Sequence, residues 1–155
     1  MSQHTASIWL ELPSEESTFE LGAPITLKAH CKNEDPDTNC YLLLRYLFSP
    51  KEHTGSGLVI TDSNEQRVSY CTGLSQMMQQ ANTSEYQCIK PGETYTVTLT
   101  KVATNFKWTS PGVYKLEPAF QSLFWSAKSS LSGIPTELGL PKSYVKGHGL
   151  EIKIE

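Results

Sequence analysis

Two Pro-Gly pairs, each followed by alternating side chains, constrain this chain more than anything else in it. Pro91-Gly92 leads into a run that places Tyr95, Val97 and Leu99 on one face and Thr94, Thr96 and Thr98 on the other. Pro111-Gly112 follows Asn105-Phe106-Lys107-Trp108 and opens on Val113-Tyr114-Lys115-Leu116-Glu117. A repeat of two residues belongs to a strand, because a helix returns to the same face only every three or four. The cleanest alternation comes earlier. After the turn Gly22-Ala23-Pro24, the residues Ile25, Leu27, Ala29 and Cys31 share one face, and Thr26, Lys28 and His30 share the other. This is the pattern of a half-buried antiparallel strand.

The remaining segments extend that reading. Ser7 to Leu12 alternates in part and is predicted to form a first strand ended by Pro13. Cys40 to Phe48 is apolar nearly throughout, as in a central strand covered on both sides. Leu58 to Thr61 and Arg67 to Tyr70 read as short strands around Asp62-Ser63-Asn64-Glu65, and Leu150, Ile152 and Ile154 alternate in a closing strand. Two stretches break the rhythm. Residues 72–87 form a long loop in which Ser75 to Ala81 has room for one or two helical turns, and Ser126 to Pro141 is rich in Ser, Gly and Pro. No internal threefold repeat is present, which disfavours a β-trefoil. The predicted architecture is an all-β, immunoglobulin-like antiparallel β-sandwich of about eight or nine strands with one long loop, and residues 1–155 read as one domain.

A chain of 155 residues can bury a sufficient core without metals or disulfides. Its net charge of −3 argues against nucleic acid as a partner, since that affinity comes from neutralising phosphates. Residues 1–100 carry 6 basic and 12 acidic side chains, and residues 101–155 carry 7 and 4. In a sandwich the two halves interleave, so the imbalance predicts scattered surface charge rather than a basic face. The N-terminal residues lack a signal-peptide pattern, and the apolar run at Tyr41-Leu42-Leu43-Leu44 is too short to cross a bilayer. A cytoplasmic location is expected if Met1 is the natural start, and a secreted one if a signal peptide has been removed. Cys31, Cys40, Cys71 and Cys88 match no zinc-ribbon spacing. Reduced thiols fit a cytosolic chain, while Cys31 with Cys40 and Cys71 with Cys88 are pairings that would close short loops.

Catalytic patterns are missing. His4, His30, His53 and His148 are isolated from one another, and there is no nucleophile elbow and no phosphate-cradling Gly-rich loop. Neither an enzyme nor a bound cofactor or metal is expected. Glu34, Asp35 and Asp37 read as a solvated turn rather than a calcium loop. Contact residues for a protein partner are expected in the long loop, at Met77, Met78, Gln79 and Tyr86, because flexible thioethers adapt to varied surfaces. The alternative partner is a glycan stacked on exposed rings. Trp9 and Trp108 lie in alternating runs and are expected in the core, which leaves Trp125 and Tyr144 as the sugar-facing candidates.

From Cys40 onward the order of features resembles the β-sandwich pro-domain that precedes the catalytic domain of fungal deuterolysin-type metalloendopeptidases. The matching residues are Leu42-Leu43-Leu44 with Pro50 soon after, Thr61-Asp62-Ser63 leading to Tyr70-Cys71-Thr72-Gly73, Pro91-Gly92-Glu93, and Asn105-Phe106 followed by Gly112-Val113-Tyr114. The opening Gly22 to Leu27, continued to Asn33, is similar to small intracellular proteinase inhibitors of immunoglobulin-like fold. These 155 residues contain no counterpart of the zinc-binding catalytic domain of a deuterolysin. What the resemblance implies is a pro-domain-like module standing alone and blocking a proteinase. Met77 and Met78 would then be apolar anchors, and Cys71 a thiol able to cap the enzyme's zinc.

Overall fold

The computed structural model describes residues 4–55, 57–71, 83–119, 123–127 and 143–155. The first strong alternation forms β1 (His4–Glu11), whose Ala6, Ile8 and Leu10 point into the core. It lies in a four-stranded sheet between β3 (Leu27–Asn33) and β10 (Ser143–His148), with β7 (Thr94–Leu99) beyond β3. A second four-stranded sheet has the order β2 (Thr18–Phe19), β11 (Leu150–Ile154), β8 (Gly112–Pro118), β5 (Leu58–Thr61). A third is made by β6 (Tyr86–Ile89), β4 (Asn39–Leu43) and β9 (Leu123–Ser126). Pairing is antiparallel throughout except at two edge pairs, β1 with β10 and β11 with β2.

Inward residues of all three sheets meet in one core. Ile8, Leu27 and Ala29 come from the first sheet, Ile60, Tyr114 and Ile152 from the second, and Leu42, Ile89 and Trp125 from the third. The protein is an immunoglobulin-like all-β sandwich. Burying each large apolar side chain stabilises the fold by roughly 1.5–3 kcal/mol. A one-residue slip of any alternating strand would forfeit several such contributions together, so the alternation fixes the register.

The turn that launches β7 is type II. Pro91 and Gly92 hold its centre, Gly92 has φ +80°, and the Glu93 amide donates to the Lys90 carbonyl at 2.9 Å. The polar turn at 62–65 is also as expected. Asp62 Oδ1 accepts from the amides of Asn64 and Gln66, each at 2.9 Å.

Three expectations are corrected. The apolar run from Cys40 does not continue as a strand to Phe48. β4 ends at Leu43, Tyr46 takes φ +57°, and a 3-10 turn at Tyr46–Phe48 rolls Leu47 and Phe48 into the core. Residues 67–70 form only isolated bridges, Arg67 with Thr61 and Tyr70 with Phe106. Among the described residues there are eleven strands rather than the expected eight or nine, because β2, β6, β9 and β10 have no alternation long enough to read. The one α-helix among the described residues, α1 (Val102–Asn105), is a single turn, far too short to cross a membrane.

Candidate binding surfaces

The excursion between β5 and β6 is fastened at both ends to one pole of the sandwich. On its N-terminal side the Cys71 amide donates to the Asn105 carbonyl, and the Tyr70 ring meets Phe106 edge-on at 5.3 Å. On its C-terminal side Arg45 grips Glu85 through two nitrogens, Nε at 2.8 Å and Nη2 at 3.0 Å. The Leu44 amide adds a bond to the Glu85 carbonyl at 2.8 Å. A forked guanidinium–carboxylate contact fixes direction as well as distance. Glu85 in turn holds the Arg45 guanidinium charged even more firmly than usual, against the opposing effect of burial.

Glu52 joins the two anchoring loops. Its carboxylate accepts from the Thr100 and Lys101 amides, both at 2.9 Å, and its carbonyl accepts from the Asn105 side chain at 3.2 Å. The residue achieves this with φ +55°. Nothing in the sequence marked Glu52 or Glu85. Arg45, a lone charge inside an apolar run, was the visible trace of the arrangement.

Met77, Met78 and Gln79 lie outside the described residues. Tyr86 does not belong to the loop as expected. It opens β6, paired with Leu43 of β4, and is half-buried there. The strand therefore takes the last two residues of the expected loop, beside the Glu85–Arg45 contact.

The surface role expected of Trp125 is also corrected. β9 pairs Trp125 with Cys40, which turns the indole inward, leaving it 4% exposed and stacked on His4 at 5.1 Å. The run Leu123-Phe124-Trp125 is apolar on every residue, so no alternation in the sequence separates inside from outside. Tyr144 stands opposite Thr5 on β10. Trp9, expected in the core, is instead on the outer face of the first sheet. It stacks on His30 at 4.9 Å, and His30 hydrogen-bonds Thr96 at 2.7 Å and Glu11 at 3.2 Å. Trp108 packs edge-on against Tyr114 at the core margin, with its Nε1–H on the Val102 carbonyl at 3.2 Å.

The acidic turn serves structure. Asp35 Oδ1 accepts from the amides of Asp37 and Thr38 at 2.9 Å, and Oδ2 faces His4 Nδ1 at 2.5 Å. Burial would raise the Asp35 carboxyl, but the bonds from His4 and the two amides outweigh it and hold the group below the usual carboxylate range. The ionised form therefore stabilises the fold above the ordinary Asp value of about 4, and this contribution fades as pH falls through the depressed one. Asp35→Asn is expected to lower the melting temperature at neutral pH and to flatten the acid end of the stability curve. Melts recorded from about pH 7 to pH 3 check this; parallel acid limbs for the two proteins would refute it.

All four cysteines are free, with Cys31 and Cys40 buried, Cys88 half-buried and Cys71 exposed. The Cys40 thiol is pushed up by its hydrogen bond with Cys31 and by burial. Burial, with a bond to Cys88, pushes Tyr41 up to about 12. A thiol that resists ionisation is a poor nucleophile and a poor metal ligand. Among the described residues, no three His, Cys, Asp or Glu side chains are grouped to hold a metal ion.

No family model and no curated protein matches this chain. Among solved structures it is similar to a CARDB domain from Pyrococcus furiosus, crystallised with di-metal ions, at 10% identity and a TM-score of 0.40. That likeness covers 100% of this chain and 91% of the other. A β-glucosidase mutant from Listeria innocua, in complex with laminaribiose, is 15% identical with a TM-score of 0.40. Here 97% of this chain is covered, yet it spans only 16% of the glucosidase. The bacterial hydrophobin BslA is 11% identical over 100% of this chain and 98% of its own, with a TM-score of 0.36.

Proposed function

We propose that this chain is a non-enzymatic binding module that engages a protein partner, most concretely a proteinase, with the segment between β5 and β6. The observation that supports this reading is the double fastening of that segment. Cys71 and Tyr70 hold one stem on the 105–106 loop, Arg45 holds the other through Glu85, and Glu52 ties the two supports together. A loop whose ends are fixed before binding loses less entropy on docking, and that saving appears as affinity. The order of sequence features shared with metalloendopeptidase pro-domains supports a proteinase as the partner class. Sugar binding through Trp125 would need an exposed indole face, and that residue is only 4% exposed.

Titration against a small proteinase panel that includes a deuterolysin-type zinc enzyme tests the proposal. The expected result is stoichiometric loss of one activity, abolished when residues 72–82 are replaced by a Gly-Ser linker with the circular dichroism unchanged. Full activity across the panel at excess protein would overturn it.

A further inference from the structure

The strand β7 closes one side of the first sheet, and no described strand pairs with its other side. The Asn33 amide donates to the Glu93 carbonyl across the β3–β7 ladder. Alternation along an antiparallel ladder then directs the N–H and C=O groups of Thr94, Thr96 and Thr98 away from β3. Beyond them the edge is shut, because Glu52 already occupies the amides of Thr100 and Lys101. An unpaired edge is usually protected by a charge, a proline or a bulge. Thr94-Tyr95-Thr96-Val97-Thr98-Leu99 contains no charge, proline or glycine, and all six of its residues pair with β3 in unbroken register. Thr94, Thr96 and Thr98 are exposed, while Leu99 is buried.

We infer that two copies of this chain associate by pairing β7 with β7, antiparallel about a twofold axis at Thr96. The open groups are symmetric about that residue. In this register Thr96 meets Thr96, Thr94 meets Thr98, and each pair exchanges both of its backbone bonds. The two four-stranded sheets become one continuous sheet. Threonines then face threonines on the outer surface, a favourable cross-strand pairing with no like charges opposed. The ends are complementary too. In this register Glu93 lies opposite the second copy's Leu99 and on a diagonal from its Lys101, within reach of long side chains, and each end is charge-balanced, with Lys90 beside Glu93 and Glu52 beside Lys101. A foreign extended segment could satisfy the backbone groups, but nothing in a foreign strand would be matched in advance to this symmetry and to these end charges.

A contact confined to one strand lies at the low end of specific interfaces, below roughly 1,200 Å², so a dissociation constant on the order of 10–100 μM is expected. Sedimentation velocity from about 10 μM to 1 mM should show a reversible monomer–dimer equilibrium. Thr96→Pro removes an outward N–H, which an edge strand tolerates, and one exposed side-chain bond to His30, and is expected to leave a folded monomer at every concentration. T94K/T98K sets lysine against lysine and should weaken association at least about tenfold, whereas T94E/T98K sets glutamate against lysine and should restore it. A wild-type protein that stays monomeric to 1 mM overturns the inference. So does a dimer that Thr96→Pro leaves intact, or one that T94E/T98K fails to restore. A monomer whose Thr94–Thr98 amide resonances shift only on adding another protein would assign the edge to a foreign strand instead.

Discussion

Replacing Asn33 with alanine is expected to lower the unfolding free energy by about 3–5 kcal/mol. The side chain is fully buried and ties the turn that follows β3 to the last residue of β6. Its Nδ2 donates to the Thr38 and Ile89 carbonyls, both at 2.8 Å, and its Oδ1 accepts from the Asp35 amide at 2.8 Å. Alanine leaves the buried Ile89 carbonyl and Asp35 amide and the half-buried Thr38 carbonyl without this partner, at about 1–3 kcal/mol for each group that water cannot reach. Asn33→Asp should be no milder, because the carboxylate keeps the acceptor, loses both donors and buries a charge beside Asp35. Urea unfolding of both variants decides the matter. A loss below about 1 kcal/mol would mean that water enters and takes over the role of the amide.

Gly57→Ala is expected to cost about 3 kcal/mol or more, from overpacking rather than from a lost contact. A Cβ at this position would lie 2.1 Å from the Leu47 backbone nitrogen and 2.6 Å from its Cα. Backbone atoms cannot rotate aside as the end of a side chain can. Either β5 shifts at its first residue or the 46–48 turn moves, and that turn carries the fully buried Leu47 and Phe48. Arg45 immediately precedes the turn, so the damage should spread to the Glu85 clamp. A melting temperature within a degree or two of wild type would show that the crossover yields more easily than its packing implies.

Strands with one wet and one dry face were legible in the sequence, and the reason is physical. β3, β7, β8 and β11 alternate because each covers the core with one face only, and composition at successive residues records which face is which. The record fails where both faces are apolar. Leu123-Phe124-Trp125 and the Tyr41–Leu44 run carry no such contrast, so the inward turn of Trp125 and the early end of β4 emerge only from pairing. Trp9 erred the other way. Its place in an alternating run suggested burial, yet the phase set by Ala6, Ile8 and Leu10 puts it on the outer face. The candidate site was the least legible part. Glu52 and Glu85 act through partners 40 to 53 residues away in sequence, and no local spacing reports a bond of that kind. The loop between its stems was visible as an interruption of rhythm, while the means of fixing it was not.

The parallel pairing of β1 with β10 bears on time as well as energy. His4 registers with Ser143 and Trp9 with His148, so one flank of a central strand waits for residues that lie nearly the whole chain away. Closing so large a loop comes late in folding, and sandwiches dominated by distant contacts form on the order of milliseconds to seconds. On the ribosome, β1 and β3 can pair early, but the far side of β1 stays bare until residues 143–148 emerge. Throughout that interval the growing sheet has two open edges, β1 and β7, and a chaperone or a neighbouring nascent chain would meet both.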